Sequence, residues 1–548
     1  MIRELYFFLR ESIGKREKLF LIYGVCCVTL YVLYAGSLPY LFKLWIDESL
    51  IPGNLEFFWK FGIFLGILTL IAIIIDWVGS CFLIKARESS RAEIRIRLLD
   101  KLQKIPVNEV GKKGSGYFTE MLLSDVDFAT GMIVSLVYIV VPAIIGLPLS
   151  VYWSFKLSGY FAVIGMVGFV LIFANVYYFS FLLRSMSTLR QDFYSKASGV
   201  IQESVMANFL IRLSQIEVQI AQRNRGIFNL LRDASVNKHV TDYTAASVQN
   251  FITQFLQVVA VFVAIYVIVK LKVDLTATAI MTGIFYLIKI WSPINLLSSL
   301  NAELQEAIAS VKRISDIIES RIEPETGTKK LSGEIEHISC KKLNINIESK
   351  NLISNLDLQI KQGEKIGIQG KSGCGKTTLL KTLLGFHSNW SGLIQLNDIS
   401  LKELSRSTVL NKIAYMPQEV FVFRENLFFN IALNYQYDEP MMKSIVQRFH
   451  LVGLLRQTNK TALVPSNISG GEKKRIGLAR LFYANKEILI FDEPFSGLDV
   501  NVREDIYKEI FTEFKDKTII IVSHNNRDLQ ECDFKVNLTN EAEIIKPI

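Results

Sequence analysis

The stretch Glu364–Gly385, EKIGIQGKSGCGKTTLLKTLLG, decides how the second half of this chain folds. Lys365 to Gln369 is short and apolar enough for a buried strand. A glycine-rich turn follows, and from about Lys376 the apolar spacing becomes helical. The turn fits G-x-x-x-x-G-K-[ST] as Gly370, Lys371, Ser372, Gly373, Cys374, Gly375, Lys376 and Thr377, with Thr378 next. Glycines let successive backbone N–H groups wrap a phosphate. Lys376 can reach the terminal phosphates of a nucleotide, and the Thr377 hydroxyl can coordinate magnesium. The helix start adds its partial positive charge. A strand, a phosphate loop and a helix in that order predict an α/β nucleotide-binding domain.

Downstream segments supply what such a loop lacks. In EILIFDEPFSGLD (Glu487–Asp499), four apolar residues end in Asp492 and Glu493. Asp492 can hold magnesium, directly or through water. Glu493 can polarise an attacking water as general base. In TIIIVSHN another apolar strand ends in Ser523 and His524, a histidine placed to contact a γ-phosphate. The segment NISGGEKKR (Asn467–Arg475) reads as a second anion-binding helix start, built on Ser469, Gly470, Gly471 and Glu472. It carries no phosphate-directed lysine of its own, so one domain appears with two cradles and one lysine.

Working outward, the chain has 548 residues, too many for one core. Half of them are hydrophobic, with a positive mean hydropathy, and the apolar residues concentrate in the first 300 positions. Six segments approach the length of about 20 residues that crosses a bilayer. They run Leu19–Leu38, Phe61–Ile84, Met132–Trp153, Tyr160–Phe181, Phe251–Val269 and Leu275–Ile294. The connections after the second and fourth are long and basic. The connection after the first is short and acidic, with Asp47, Glu48 and Glu56. The positive-inside rule therefore puts the long connections and both termini in the cytoplasm. In SSRAEIRIRLLDKLQKI and SKASGVIQESVMANFLIRL, apolar residues at three- and four-residue spacing predict helices continuing out of the membrane. Residues 1–18 are too charged for a signal peptide and suit an interfacial amphipathic helix or a plain cytoplasmic tail.

The formal net charge of +9 belongs to these basic connections, so it does not indicate nucleic acid. Six cysteines without paired spacing suggest neither a disulfide framework nor a metal site. Asp76 and Lys289 fall at similar depth in two spans. They are candidates to face a substrate cavity, as a pair, or to serve structure alone. Pro324, Gly327 and Gly333 mark the boundary of the two halves. The expected architecture is a membrane α-helical six-span domain over residues 1–320, a linker over 321–333, and an α/β P-loop ATPase domain over 334–548.

With these motifs in order, the chain resembles the ABC transporters, specifically exporters with a membrane domain fused ahead of the ATPase domain. Gly370–Thr377 matches the Walker A loop and Ile488–Glu493 the Walker B strand. Gln418 in IAYMPQEVFVF matches the Q-loop glutamine and Ile468–Glu472 the signature. Ser496–Asp499 matches the D-loop and His524 the switch histidine. The resemblance implies ATP and Mg2+ as ligands, with Gln418 both catalytic and a magnesium ligand beside Thr377 and Asp492. It also implies two ATPase domains paired head-to-tail, each nucleotide held between one Walker A loop and the other chain's signature, with Asp499 nearby. That resolves the two cradles, because the partner's loop supplies the lysine. Intact motifs favour a homodimer.

Two departures stand out. The aromatic residue that exporters place before the first core strand is missing from SCKKLNINIESK, and TALVPSNISGG lacks the Glu-Arg-Gly-like element. No protease-like segment precedes the spans. GYFTEMLLSDVD and ARLFYANKEILIFDEPFSGLD are similar to small exporters of ribosomal antimicrobial peptides, including lasso peptides. The expected function is ATP-driven export of such a peptide, with self-immunity, across a bacterial inner membrane. The alternatives are a lipid flippase, a multidrug exporter, or a weakly hydrolytic regulatory or heterodimer partner subunit.

Overall fold

The computed structural model describes residues 14–50, 52–271, 276–320, 322, 327–347, 350–458, 462–538 and 543–545. Residues 1–13 of the expected interfacial helix, and Pro324 at the expected boundary, lie outside them. The chain divides into two compact units, residues 1–320 and 321–548.

The first unit is helical: α1 (Lys15–Ser49), α2 (Leu55–Leu102), α3 (Val107–Glu120), α4 (Val126–Val141), α5 (Leu147–Leu157), α6 (Gly159–Met206), α7 (Asn208–Leu213), α8 (Glu217–Leu271) and α9 (Ala277–Ile318). Among the described residues, six helical stretches are long and apolar enough to cross a membrane, in register with the six segments read from sequence. The helices outlast their apolar cores. A 48-residue helix such as α2 or α6 is about 72 Å long, whereas a bilayer core is about 30 Å thick. The long basic connections are therefore helix, as their spacing predicts. The short connection after the first span differs from the acidic loop expected. Asp47 and Glu48 belong to α1, and Glu56 to the first turn of α2. Hydropathy falls at the lipid boundary, but the backbone hydrogen-bond ladder runs on past it.

The third span is not one uniform helix. π-helical turns at Met121–Asp125 and Pro142–Gly146 join α3, α4 and α5. Helix α9 packs on α4, α5, α6 and α1, burying Tyr286, Leu287, Ile290 and Trp291 almost completely. Gly165 and Gly168 of α6 make this approach close. A Cβ at Gly168 would lie 2.5 Å from Trp291 Nε1, and that nitrogen donates to the Gly165 carbonyl at 3.0 Å. Farther along, Asp125 ends the first π turn. It accepts from Ser310 Oγ at 2.9 Å and Arg313 Nε at 2.7 Å on α9. An apolar cluster of Ile94, Leu98, Met121, Val126, Val311 and Ile314 surrounds the same junction. Asp76 and Lys289 are both half-buried. Among the described residues neither joins an ion pair, so the pairing considered from sequence is not formed.

The second unit holds two sheets. An antiparallel sheet of order β2-β1-β4-β5 uses β1 (His337–Ile347), β2 (Lys350–Lys361), β4 (Trp390–Leu396) and β5 (Ile399–Ser400). The larger sheet has order β10-β9-β3-β8-β7-β6, from β3 (Lys365–Gly370), β6 (Ile413–Met416), β7 (Ile488–Asp492), β8 (Thr518–Val522), β9 (Phe534–Leu538) and β10 (Glu543–Ile545). Strands β6 to β9 and β3 pair in parallel, and only β10 runs antiparallel. β7 and β8 are buried at every position because both sheet faces are covered. Leu489, Phe491, Ile519 and Ile521 enter one core, and Ile488, Ile490, Ile520 and Val522 the other. The helices that concern the site are α10 (Lys376–Leu383), α11 (Gly470–Ala484) and α12 (Val500–Glu513).

Candidate functional site

Parallel strands end on one edge of their sheet, and ligands of such sheets bind beyond the carboxyl ends. The order β3-β8-β7-β6 brings four chain-distant segments to that edge. Gly370 closes β3, Ser523 and His524 follow β8, Asp492 ends β7 with Glu493 next, and Gln418 follows β6. The sequence fixes each strand end in the same way. A run of β-branched and aliphatic residues stops where the first charged or phosphate-directed side chain begins.

The phosphate loop needs its glycines. Gly370, Gly373 and Gly375 have φ of 157°, 80° and 102°. A Cβ on Gly370 would sit 2.6 Å from the Leu538 carbonyl and 2.7 Å from Cys374 Sγ. Gly375 is the cap residue of α10, with no side-chain cap bond, so the first N–H groups of the helix are left for a ligand. Lys371, Ser372 and Gly373 are exposed, and Lys376 is 8% exposed. Lys376 Nζ curls back over the loop, donating to the carbonyls of Gly370 at 2.7 Å and Lys371 at 3.1 Å.

Lys376 Nζ also lies 3.2 Å from His524 Nε2, which in turn lies 3.2 Å from Glu493 Oε1. The two contacts of that nitrogen use opposite tautomers. It accepts from the ammonium when the ring proton is on Nδ1, and donates to the carboxylate when it carries the proton itself. Gln418 Nε2 donates to the other Glu493 oxygen at 3.2 Å. Gln418, Glu493, His524 and Lys376 thus form one continuous polar chain across the edge of the sheet.

Beside it, Thr377 Oγ1 donates to Asp492 Oδ2 at 2.9 Å, and Tyr415 Oη lies 3.5 Å from the same oxygen. Asp492 is 2% exposed. Burial holds its carboxyl above the ordinary range, the Thr377 bond opposes this, and the Glu493 charge adds to it. A hydroxyl and a buried carboxylate side by side, next to a phosphate cradle, form a hard oxygen donor set of the kind magnesium takes when phosphates supply further ligands. These residues fit that ion.

The segment read as a second cradle opens a helix. Ser469 caps α11, accepting from the Glu472 N–H at 3.2 Å, while Glu472 accepts from the Ser469 N–H at 2.9 Å. A glutamate at 472 therefore completes a capping box. Gly470 has open space where a Cβ would be, and a Cβ at Gly471 would lie 3.3 Å from the Gly497 carbonyl. Ser469–Glu472 makes no described contact with the phosphate loop of its own chain. Asp499 caps α12 without a side-chain cap bond.

Tyr415 and Lys474 were not evident from sequence, and Ser496, read there as part of the D-loop match, makes a contact that match did not predict. Tyr415 reaches Asp492, while Lys474 and Ser496 donate to the Glu493 backbone carbonyl at 2.8 Å and 3.1 Å. Burial lowers the Lys474 ammonium from its usual range, and the charges of Glu493, Asp492 and Glu419 pull it back up. Glu493 itself sits in the left-handed region at φ 50°, a conformation costing a non-glycine residue about 1–3 kcal/mol. Of the stretch lacking an aromatic, residues 339–347 lie in β1, which ends on the exposed Ile347, and residues 348–349 lie outside the described residues.

Comparison with known proteins agrees with this geometry. Residues 353–496 match the family described as ABC transporter, and residues 21–289 match the ABC transporter transmembrane region. A probable ABC transporter ATP-binding/permease protein of Haemophilus influenzae is 29% identical over 60% of this chain and 59% of its own length. An ATP-dependent lipid A-core flippase of Ralstonia nicotianae is 22% identical over 99% of this chain and 92% of its own. The microcin-J25 export ATP-binding/permease protein McjD of Escherichia coli is 31% identical over 47% of this chain and 46% of its own. Among solved structures, a bacterial Atm1-family ABC exporter with ATP bound shares the fold, with a TM-score of 0.79, at 16% identity, over 98% of this chain and 95% of that one. The chain belongs to the ABC transporters, as an exporter-type protein that carries its transmembrane region and its ATP-binding domain in one polypeptide.

Proposed function

We propose that this chain, paired with a second copy of itself, is an ATP-driven pump that expels a small, ribosomally made antimicrobial peptide across the bacterial inner membrane, with both termini in the cytoplasm. The observation that carries the energetic half is the polar chain Gln418–Glu493–His524–Lys376 at one sheet edge. Gly370–Thr378 would wrap the phosphates of ATP, with Lys376 turning from the loop carbonyls to the terminal phosphates. Ser469, Gly470 and Gly471 of the partner subunit would cap the γ-phosphate from the opposite side. Glu493 takes the proton of the attacking water as that water's oxygen bonds to the γ-phosphorus. The bond from phosphorus to the bridging oxygen breaks, releasing ADP and inorganic phosphate. His524 steadies the γ-phosphate and Gln418 orients the water. Thr377, Asp492 and Gln418 would hold magnesium, which when bound neutralises charge on the β- and γ-phosphate oxygens. The two chains, each contributing six spans, would turn outward as their ATPase domains close.

The substrate assignment rests on the 31% match to the microcin exporter. The lipid A-core flippase, matched over 99% of the chain, favours a second reading in which the cargo is a lipid. Reconstitution in proteoliposomes separates them. A fluorescent antimicrobial peptide moved only with ATP, and not by Glu493→Gln, supports peptide export. ATP-driven flipping of a fluorescent lipid with no peptide movement replaces it with the lipid reading.

A further inference from the structure

A general base works only if its carboxylate is aimed, and Glu493 is aimed from a backbone conformation that costs energy to hold. The neighbouring strand fixes one side. The Glu493 N–H donates to the Val522 carbonyl of β8 at 2.8 Å. The other side, the Glu493 carbonyl, lies beyond the end of β7 and has no strand partner among the described residues. It accepts instead from Lys474 Nζ at 2.8 Å and from Ser496 Oγ at 3.1 Å. Lys474 is 9% exposed, so its ammonium is committed to this interior position rather than to solvent. It sits on α11, five residues past the Ser469 cap, on a helix whose Gly477 packs so closely that a Cβ would lie 2.6 Å from Val420 Cγ2. The donor therefore rides on a rigid, capped helix pressed against the site. A buried cation is costly to keep and is retained where its hydrogen bond is used.

We propose that Lys474 is a positioning residue for ATP hydrolysis: it anchors the Glu493 peptide carbonyl and thereby holds the left-handed backbone that points the Glu493 carboxylate at the attacking water. Ser496 shares the task from the loop that follows β7. The inference rests on the ATPase reading above and adds a residue to it.

The test uses the full-length chain in lipid nanodiscs. Lys474→Met keeps the side-chain length and apolar stem and removes the donor. Lys474→Arg keeps both donor and charge. The expected result is a fall in kcat on the order of ten- to a hundredfold for Lys474→Met, with KM and the Kd for a fluorescent ATP analogue within about twofold of wild type. Lys474→Arg should recover most of the loss. Ser496→Ala should lower kcat by less, again at constant KM, and this variant keeps the proposal testable if Lys474→Met fails to fold. Turnover by Lys474→Met within twofold of an active wild type overturns the assignment, as does a loss that tracks Kd or melting temperature. A wild-type chain with no Glu493-dependent turnover overturns both the assignment and the ATPase reading.

Discussion

Replacing Asp125 with asparagine tests how the first π turn is held against α9. The Asp125 side chain is 6% exposed, and both its oxygens are engaged by Arg313 of α9, one of them also by Ser310. Removing one partner of a fully buried ion pair costs about 3–5 kcal/mol. The Arg313 side chain is 44% exposed, so water takes over part of the lost interaction. That exposure reduces the expected loss to about 1–3 kcal/mol. For a unit of this size the loss corresponds to a fall in Tm of roughly 2–10 °C. The assay is the thermal unfolding of the full-length protein in detergent, followed by size-exclusion of the surviving fraction. The double variant Asp125→Leu with Arg313→Leu should recover most of the loss, because it leaves no charge unpaired beside the apolar cluster at this junction. An Asp125→Asn protein melting within 1 °C of wild type would refute the reasoning, and so would a double variant less stable than either single one.

Asp492→Asn should separate stability from activity. Burial holds the Asp492 carboxyl above its ordinary value, so the unfolded chain releases this proton more readily than the folded one. Its contribution to stability falls as pH rises from the ordinary aspartate range through the raised folded value, and the charged form costs the fold at neutral pH. The variant should therefore melt no lower than wild type without nucleotide at pH 7, while ATP turnover is lost. A lower Tm with turnover retained contradicts this. Ser469→Ala removes the oxygen that accepts from the Glu472 N–H, costing about 1 kcal/mol of stability, and lowers turnover as well. Ser469→Thr should keep the cap, and calorimetric melting beside an ATPase assay measures both variants.

The nucleotide site was legible in sequence because its residues stand at strand ends, and apolar runs that stop at Gly370, Asp492 and Ser523 reveal where those ends are. Sheet order then brings the ends together, and adjacency in β3-β8-β7-β6 is all that Gln418, Glu493, His524 and Lys376 need to meet. Lys474 was hidden for a physical reason. A lysine in a helical run reads as a solvated face, and only the packing of α11 against β6 turns it inward. Asp125 and Arg313, 188 positions apart, meet through tertiary contact that no local pattern encodes. The π turns at 121–125 and 142–146 leave hydropathy unchanged and so were invisible to it. The first span was cut at Leu38 by its apolar content, yet α1 continues through Pro39 to Ser49. Membrane helices tolerate such prolines where neighbours satisfy the freed groups, and here the Tyr40 N–H donates to Tyr286 Oη at 3.2 Å.

The most direct test of the account is ATP turnover by the purified full-length chain in nanodiscs with Mg2+, wild type beside Glu493→Gln. Asparagine or glutamine cannot take the proton of the attacking water, and general-base catalysis contributes about 10²–10⁴-fold. The account predicts steady hydrolysis by the wild-type chain alone and a loss of that size in the variant, with ATP binding preserved. Hydrolysis by Glu493→Gln within tenfold of wild type, or no hydrolysis by the wild-type chain without a different partner subunit, would contradict it.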